Sequence, residues 1–214
     1  MHSLVLVAYI AVVIIWSTTP IAIVWSAESV HPTMAVLLRM TIAALLGLIL
    51  IGFKRINFPW NKTALRLYAS SALGIYGGLT LTYEAAATIP SGVISLFFGL
   101  APIFSGLLAN KILGEAKFTA VKKLALLLSL VGLAVICSDS LSVNNDHWLG
   151  LLMLLVAVFF FSFSAVLVKS VPIIINPLCT TVGALLLTLP LFVLSWWLQD
   201  GTLPINQWQP RALS

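Results

Sequence analysis

Residues 33–53 read TMAVLLRMTIAALLGLILIGF and run directly into Lys54 and Arg55. An α-helix needs about 20 apolar residues to cross the roughly 30 Å hydrocarbon core of a bilayer, and this run carries a single charge, Arg39. The pair of cations that follows fits the point where such a helix leaves the hydrocarbon. The stretch therefore reads as a membrane span, and the fold depends on how many others accompany it.

Six more segments qualify, at approximately 4–25, 66–87, 90–110, 120–138, 147–168 and 174–198. Pro, Gly, Asn or charged residues mark the joints, and the links are short. Composition agrees: 61% of the chain is hydrophobic, 8% is charged, and the mean hydropathy is +1.12. A soluble domain carries about a quarter charged residues, because its surface must face water. The expected fold class is thus all-α integral membrane, with about seven transmembrane helices and the lipid bilayer as solvent. The net charge of +5 does not point to nucleic acid, since no basic run is interleaved with aromatics in a polar segment. The N-terminus does not read as a signal peptide: no Lys or Arg precedes the apolar run, which is too long for a signal core.

Lys and Arg set the expected orientation. Nine of the eleven fall on one side: Lys54, Arg55, Lys62 and Arg66 between spans two and three, Lys111, Lys117, Lys122 and Lys123 between four and five, and Lys169 after six. The opposite gaps hold Glu28 and His31, Thr88 and Ile89, then Asp139 and Asp146. The N-terminus is expected in the cytoplasm, and residue 214, after seven spans, on the far side. Trp25, Trp148, Trp196 and Trp197 fall at predicted outer ends and Trp60 in an inner loop, the interfacial depth that indole favours.

A shift of 145 residues lays Trp16-Ser17 on Phe161-Ser162 and His31-Pro32 on Asn176-Pro177 without a gap. Five spans separate the matched helices, so they cross in opposite directions. That is an inverted repeat, from which many secondary transporters are built. The expected units are 4–138, a first five-helix repeat, and 147–198, the first two helices of a second. Two full units would need roughly 290 residues, so the chain is expected to be C-terminally incomplete relative to a ten-helix (5+5) fold.

Several short motifs recur in order. The first helix carries Trp16-Ser17 and Pro20, and the second carries Arg39 in Leu-Leu-Arg-Met-Thr-Ile-Ala-Ala. Then come Ala85-Ala86-Ala87, Ile89-Pro90-Ser91-Gly92, Leu100-Ala101-Pro102-Ile103-Phe104 and Leu113-Gly114-Glu115. Together they resemble the EamA-like branch of the drug/metabolite transporter superfamily, over about residues 1–198. The resemblance implies a ten-helix, two-unit protein that moves small organic solutes, usually outward, through a central cavity by alternating access. The absent helices eight to ten put independent transport in question.

Candidate cavity or gating residues are Trp16, Ser17, Thr18, Arg39, Tyr76, Glu84 and Pro102. Arg39 and Glu84 are the charged residues placed within spans, where ionisable groups are costly and suggest function. Their similar depth predicts a pair, either a gate or a structural ion pair. Trp16, Ser17, Thr18 and Thr19 adjoin Pro20, which frees a backbone carbonyl that hydroxyls can help solvate. Solute contact and local helix repair are both open there. Pro102 is expected to kink the fourth helix. Tyr76 sits among Gly74, Gly77 and Gly78 in a segment expected to be locally adaptable. Ser91, Ser95 and Gly99, and Ser105 in a second row, have the spacing of a helix-packing stripe. Glu115 is expected to form a solvated loop pair near Lys111 and Lys117.

Cys137 and Cys179 lie near opposite membrane faces, too far apart for a disulfide. His2, His31 and His147 lack metal-ligand spacing, and neither a metal nor a cofactor is expected. Asn61-Lys62-Thr63 is a formal glycosylation sequon in a predicted inner loop and is expected to stay unmodified. The expected function is a secondary transporter, exporting small organic metabolites, amino acids or drugs across the cytoplasmic (inner) membrane of a bacterium. Two alternatives stand beside it: a truncated, non-transporting remnant, and a polytopic membrane enzyme acting on lipid-linked substrates. Basic inner loops and nearly empty outer loops favour the transporter over the enzyme. A homodimer stays open.

Overall fold

A computed structural model describes residues 2–116, 118–140 and 145–199. The expected tail from Asp200 to Ser214, and the side chains of Cys137 and His147, lie outside the described residues. Every regular element among these residues is helical. The helices are α1 (His2–Ser29), α2 (Pro32–Phe53), α3 (Lys62–Leu73), α4 (Leu79–Ala86), α5 (Ser91–Phe98), α6 (Ala101–Leu113), α7 (Ala120–Ser140), α8 (Asn145–Ser170) and α9 (Pro177–Gln199).

Five of the expected spans are helices long and apolar enough to cross a membrane: Val5–Ala27, Pro32–Phe53, Ser91–Leu113, Trp148–Ser170 and Pro177–Gln199. The expected third span is α3 and α4 joined by a π-helical turn at Gly74–Gly78, and the expected fifth is α7. The chain is therefore an all-α membrane protein.

The starts and stops follow local chemistry. Pro32 opens α2, where its missing N–H has no helical acceptor to lose. Asn61 caps α3, its Oδ1 accepting from the Ala64 N–H at 2.8 Å, so the sequon asparagine serves as a helix cap. Gly114 closes α6 at φ 67°, a left-handed conformation that glycine adopts without penalty.

The fourth span differs from expectation. It breaks at Gly99 and Leu100, and Pro102 lies in the first turn of α6 rather than at a mid-helix kink. The N–H groups of the first turn have no upstream helical carbonyl to bond, so a proline without one costs little there.

Helix α8 lies at the centre, packed against α3, the π turn, α4, α5 and α6, while α9 packs against α2 and α3. In lipid, association depends on close packing and interhelical hydrogen bonds rather than on apolar burial. Glycine provides the close approach at two of these contacts. A Cβ on Gly47 of α2 would lie 2.3 Å from Val182 Cγ2 on α9, and one on Gly74 would lie 2.6 Å from Ser164 on α8.

The hydroxyl of Ser164, nearly buried, donates to the Ser70 carbonyl of α3 at 2.7 Å. Ser162 of α8 donates to the Ala101 carbonyl at 3.2 Å. Replacing Ser164 by Ala should lower stability in detergent by about 0.6 kcal/mol, the average for such bonds in a membrane bundle. Thermal unfolding checks this, and a loss above about 2 kcal/mol would mean that the hydroxyl does more than cross-link two helices.

Candidate functional site

Arg39 and the hydroxyls of Ser17, Thr19 and Ser95 line the space where α1 meets α2, α4 and α5 and faces α8. A cavity of about 540 Å³ opens there, lined by Trp16 and Ser17 of α1, Arg39 of α2, Leu79 of α4, Ser95 of α5 and Phe161 of α8, among others. A second cavity, of about 370 Å³, lies between α1 and α2, with Ser26, Arg39 and Tyr83 in its wall. Arg39 borders both.

Three aromatic rings form one wall of the larger cavity. Trp16 meets Phe161 edge to face at 5.7 Å between centroids, and Phe98 meets Phe161 in the same manner at 5.8 Å. Trp16 and Phe161 are the residues that the 145-residue shift superposes.

The α1 hydroxyls are occupied locally. Ser17 donates to the Ile14 carbonyl at 3.0 Å, Thr18 to Ile14 at 2.8 Å and Thr19 to Ile15 at 2.6 Å. None reaches the Trp16 carbonyl, which lost its regular donor at Pro20. Ser17 and Thr19 nonetheless line the cavity, where their oxygens can still accept.

The predicted pair of Arg39 with Glu84 does not form. Arg39 Nη1 instead donates to the Tyr83 hydroxyl at 3.3 Å. Successive helical residues point about 100° apart. The turn that aims Tyr83 at α2 therefore aims Glu84 elsewhere. Glu84 Oε1 is buried without a hydrogen-bond partner, as are Thr80 Oγ1 and Trp196 Nε1. Thr80 and Glu84 share a face of α4 one turn apart. Tyr76 also turns away from Arg39: its hydroxyl shares a 2.7 Å hydrogen bond with Ser195 of α9, and its ring packs on Phe192.

The predicted packing stripe divides. Val93, Ile94 and Phe97 are the buried face of α5. Ser95 is exposed, bonds back to the Ser91 carbonyl at 2.9 Å and borders the cavity. Gly99 is exposed at the helix break, and Ser105 is partly buried on α6. Pro102 is exposed at the start of α6.

Glu115 pairs with Lys169 at the end of α8, the one ion pair among the described residues, and not with Lys111, while Lys117 lies outside the described residues. Gly114 turns the chain so that the carboxylate faces α8. Both partners are well exposed, and such pairs contribute about 0–1 kcal/mol. Cys179 is free and buried. No group of three His, Cys, Asp or Glu that could hold a metal occurs among the described residues.

Nothing in the sequence marks Tyr83 as the Arg39 partner beyond its place beside Glu84. Phe98 likewise has no distinguishing mark among eleven phenylalanines.

Apolar helices of spanning length around a cavity bordered by the half-buried Arg39 define a polytopic α-helical integral membrane protein. The profile of the EamA-like transporter family matches residues 3–138, more than half of the chain. The chain belongs to the EamA-like transporter family, within the drug/metabolite transporter superfamily. Comparison with curated proteins and with solved structures gives no match.

Proposed function

We propose that the chain serves a secondary transporter that exports small organic solutes across the cytoplasmic membrane by alternating access around the larger cavity. The principal support is that this cavity takes residues from both expected units, 4–138 and 147–198. Trp16 and Ser17 come from the first and Phe161 from the second. A site shared between two repeats changes its exposure when one rocks against the other. The volume, about 540 Å³, lies in the range of about 300–1,000 Å³ typical of small-molecule sites. The lining mixes aromatic and apolar walls with a few polar groups, as such sites do.

The basic residues at Lys54–Arg66, Lys111–Lys123 and Lys169 support a cytoplasmic N-terminus.

Counterflow in proteoliposomes tests the proposal. Vesicles loaded with a mixture of unlabelled amino acids and organic acids should accumulate at least one labelled counterpart, and empty vesicles should not. Absence of flux for every solute, with the protein folded, defeats it. Ser17→Cys supplies a second reading: a water-soluble maleimide should label it, and a transported solute should slow that labelling severalfold. Complete protection with and without solute would place Ser17 outside the pathway.

A further inference from the structure

Arg39 lines both cavities, and its one side-chain partner among the described residues is a neutral phenol, at 3.3 Å. A guanidinium carries five N–H donors and a fixed positive charge. Keeping such a charge inside a membrane protein is expensive unless an anion meets it. The described residues lining the two cavities include neither Asp nor Glu. Glu84, the nearest acid in sequence to Tyr83, makes no ion pair with Arg39. The cavity is thus a net-positive chamber with donors to spare, set against the Trp16, Phe98 and Phe161 rings.

We propose that the cavity selects a small organic carboxylate. Its anionic group sits on the open N–H groups of Arg39, and its apolar body lies against the three rings. The inference deepens the transporter proposal and rests on the same cavity. It also sets a direction of discrimination. A planar carboxylate can take two parallel N–H bonds from one guanidinium, which a neutral amide cannot match. An ammonium group finds no acidic partner in the lining and is repelled by Arg39. An anion is therefore preferred over a zwitterion of the same body, and a zwitterion over a cation.

Binding of phenylacetate, phenylacetamide and phenethylammonium to the full chain in detergent, measured by calorimetry, tests this. Phenylacetate should bind about tenfold tighter than its amide, as charge-assisted bonds exceed neutral ones. Phenethylammonium should bind more weakly than both. The carboxylate-to-amide ratio should fall to about one in Arg39→Gln and stay well above one in Arg39→Lys. Equal affinities for acid and amide in the unaltered chain overturn the proposal, as does a ratio that survives Arg39→Gln. If Arg39→Gln fails to fold, the unaltered chain's ratio and the lysine variant decide. Counterflow separates the two proposals. Carboxylate-selective binding without flux of any solute removes transport and leaves this inference, whereas flux confined to neutral or cationic solutes does the reverse.

Discussion

Gly183→Leu is expected to destabilise the bundle by more than about 3 kcal/mol, the upper end for overpacking a filled core. A Cβ at Gly183 would sit 2.6–2.7 Å from three carbons of the Tyr68 ring, directly on its face. That ring cannot step aside. Tyr68 is fully buried, its hydroxyl donates to the Pro59 carbonyl at 2.8 Å, and Phe58 and Trp60 flank it at 5.5 and 6.2 Å. The added side chain must push α9 from α3, and that separation removes the close packing on which helix association in lipid depends. Gly52→Ala is the contrasting case. Nothing lies within 4 Å of its added methyl, and alanine is favoured over glycine in a helix by about 1 kcal/mol. Apparent melting temperatures in one detergent should fall steeply for Gly183→Leu and hold or rise for Gly52→Ala. A Gly183→Leu protein as stable as its parent would mean that α3 and α9 are not held at this distance.

Phe161→Ala is expected to lower counterflow by at least about tenfold while the protein still folds. Phe161 joins both edge-to-face contacts of the cavity wall, with Trp16 and with Phe98. Each such pair is worth about 0.5–1.5 kcal/mol beyond its buried area. Loss of both loosens the seam where the two expected units meet and removes part of the solute's apolar seat. Retained flux at the parental rate would place the pathway elsewhere. Because Phe161 is itself only partly buried, the cost in stability should be smaller than that of Gly183→Leu.

Much of the architecture was legible because each span must bring its own unbroken apolar run. The reading 33–53 became Pro32–Phe53, and 174–198 became Pro177–Gln199. Helix interruptions were harder to read. Proline was the visible signal in the fourth span, yet the break falls at Gly99 and Leu100, because proline is tolerated in a first turn. Glycines at 74, 77 and 78 did mark an irregular segment, though not its π form.

Pairing was the least legible feature. Arg39 and Glu84 were matched by depth in the membrane, a quantity counted along the chain. Contact also depends on angle around the helix axis, and there Tyr83 faces α2 instead. Glu115 posed the converse problem. Its partner Lys169 lies 54 positions away, out of reach of any local pattern.

The π turn at Gly74–Gly78 has a consequence for changes of chain length. Each residue advances an α-helix by about 100° and 1.5 Å. An i→i+5 turn holds one more residue than an α turn, so it sets the phase between α3 and α4. Loss of one in-frame codon between 74 and 78 would let ordinary helix run through. The π turn rotates the chain about as far as an α segment one residue shorter, so residues 79–86 would keep their phase against α3 and Tyr83 would still face Arg39. One codon lost from 79–82 would instead swing Tyr83 by about 100° away from Arg39. Every apolar run would stay long enough to span, and either deletion would look silent on a hydropathy plot.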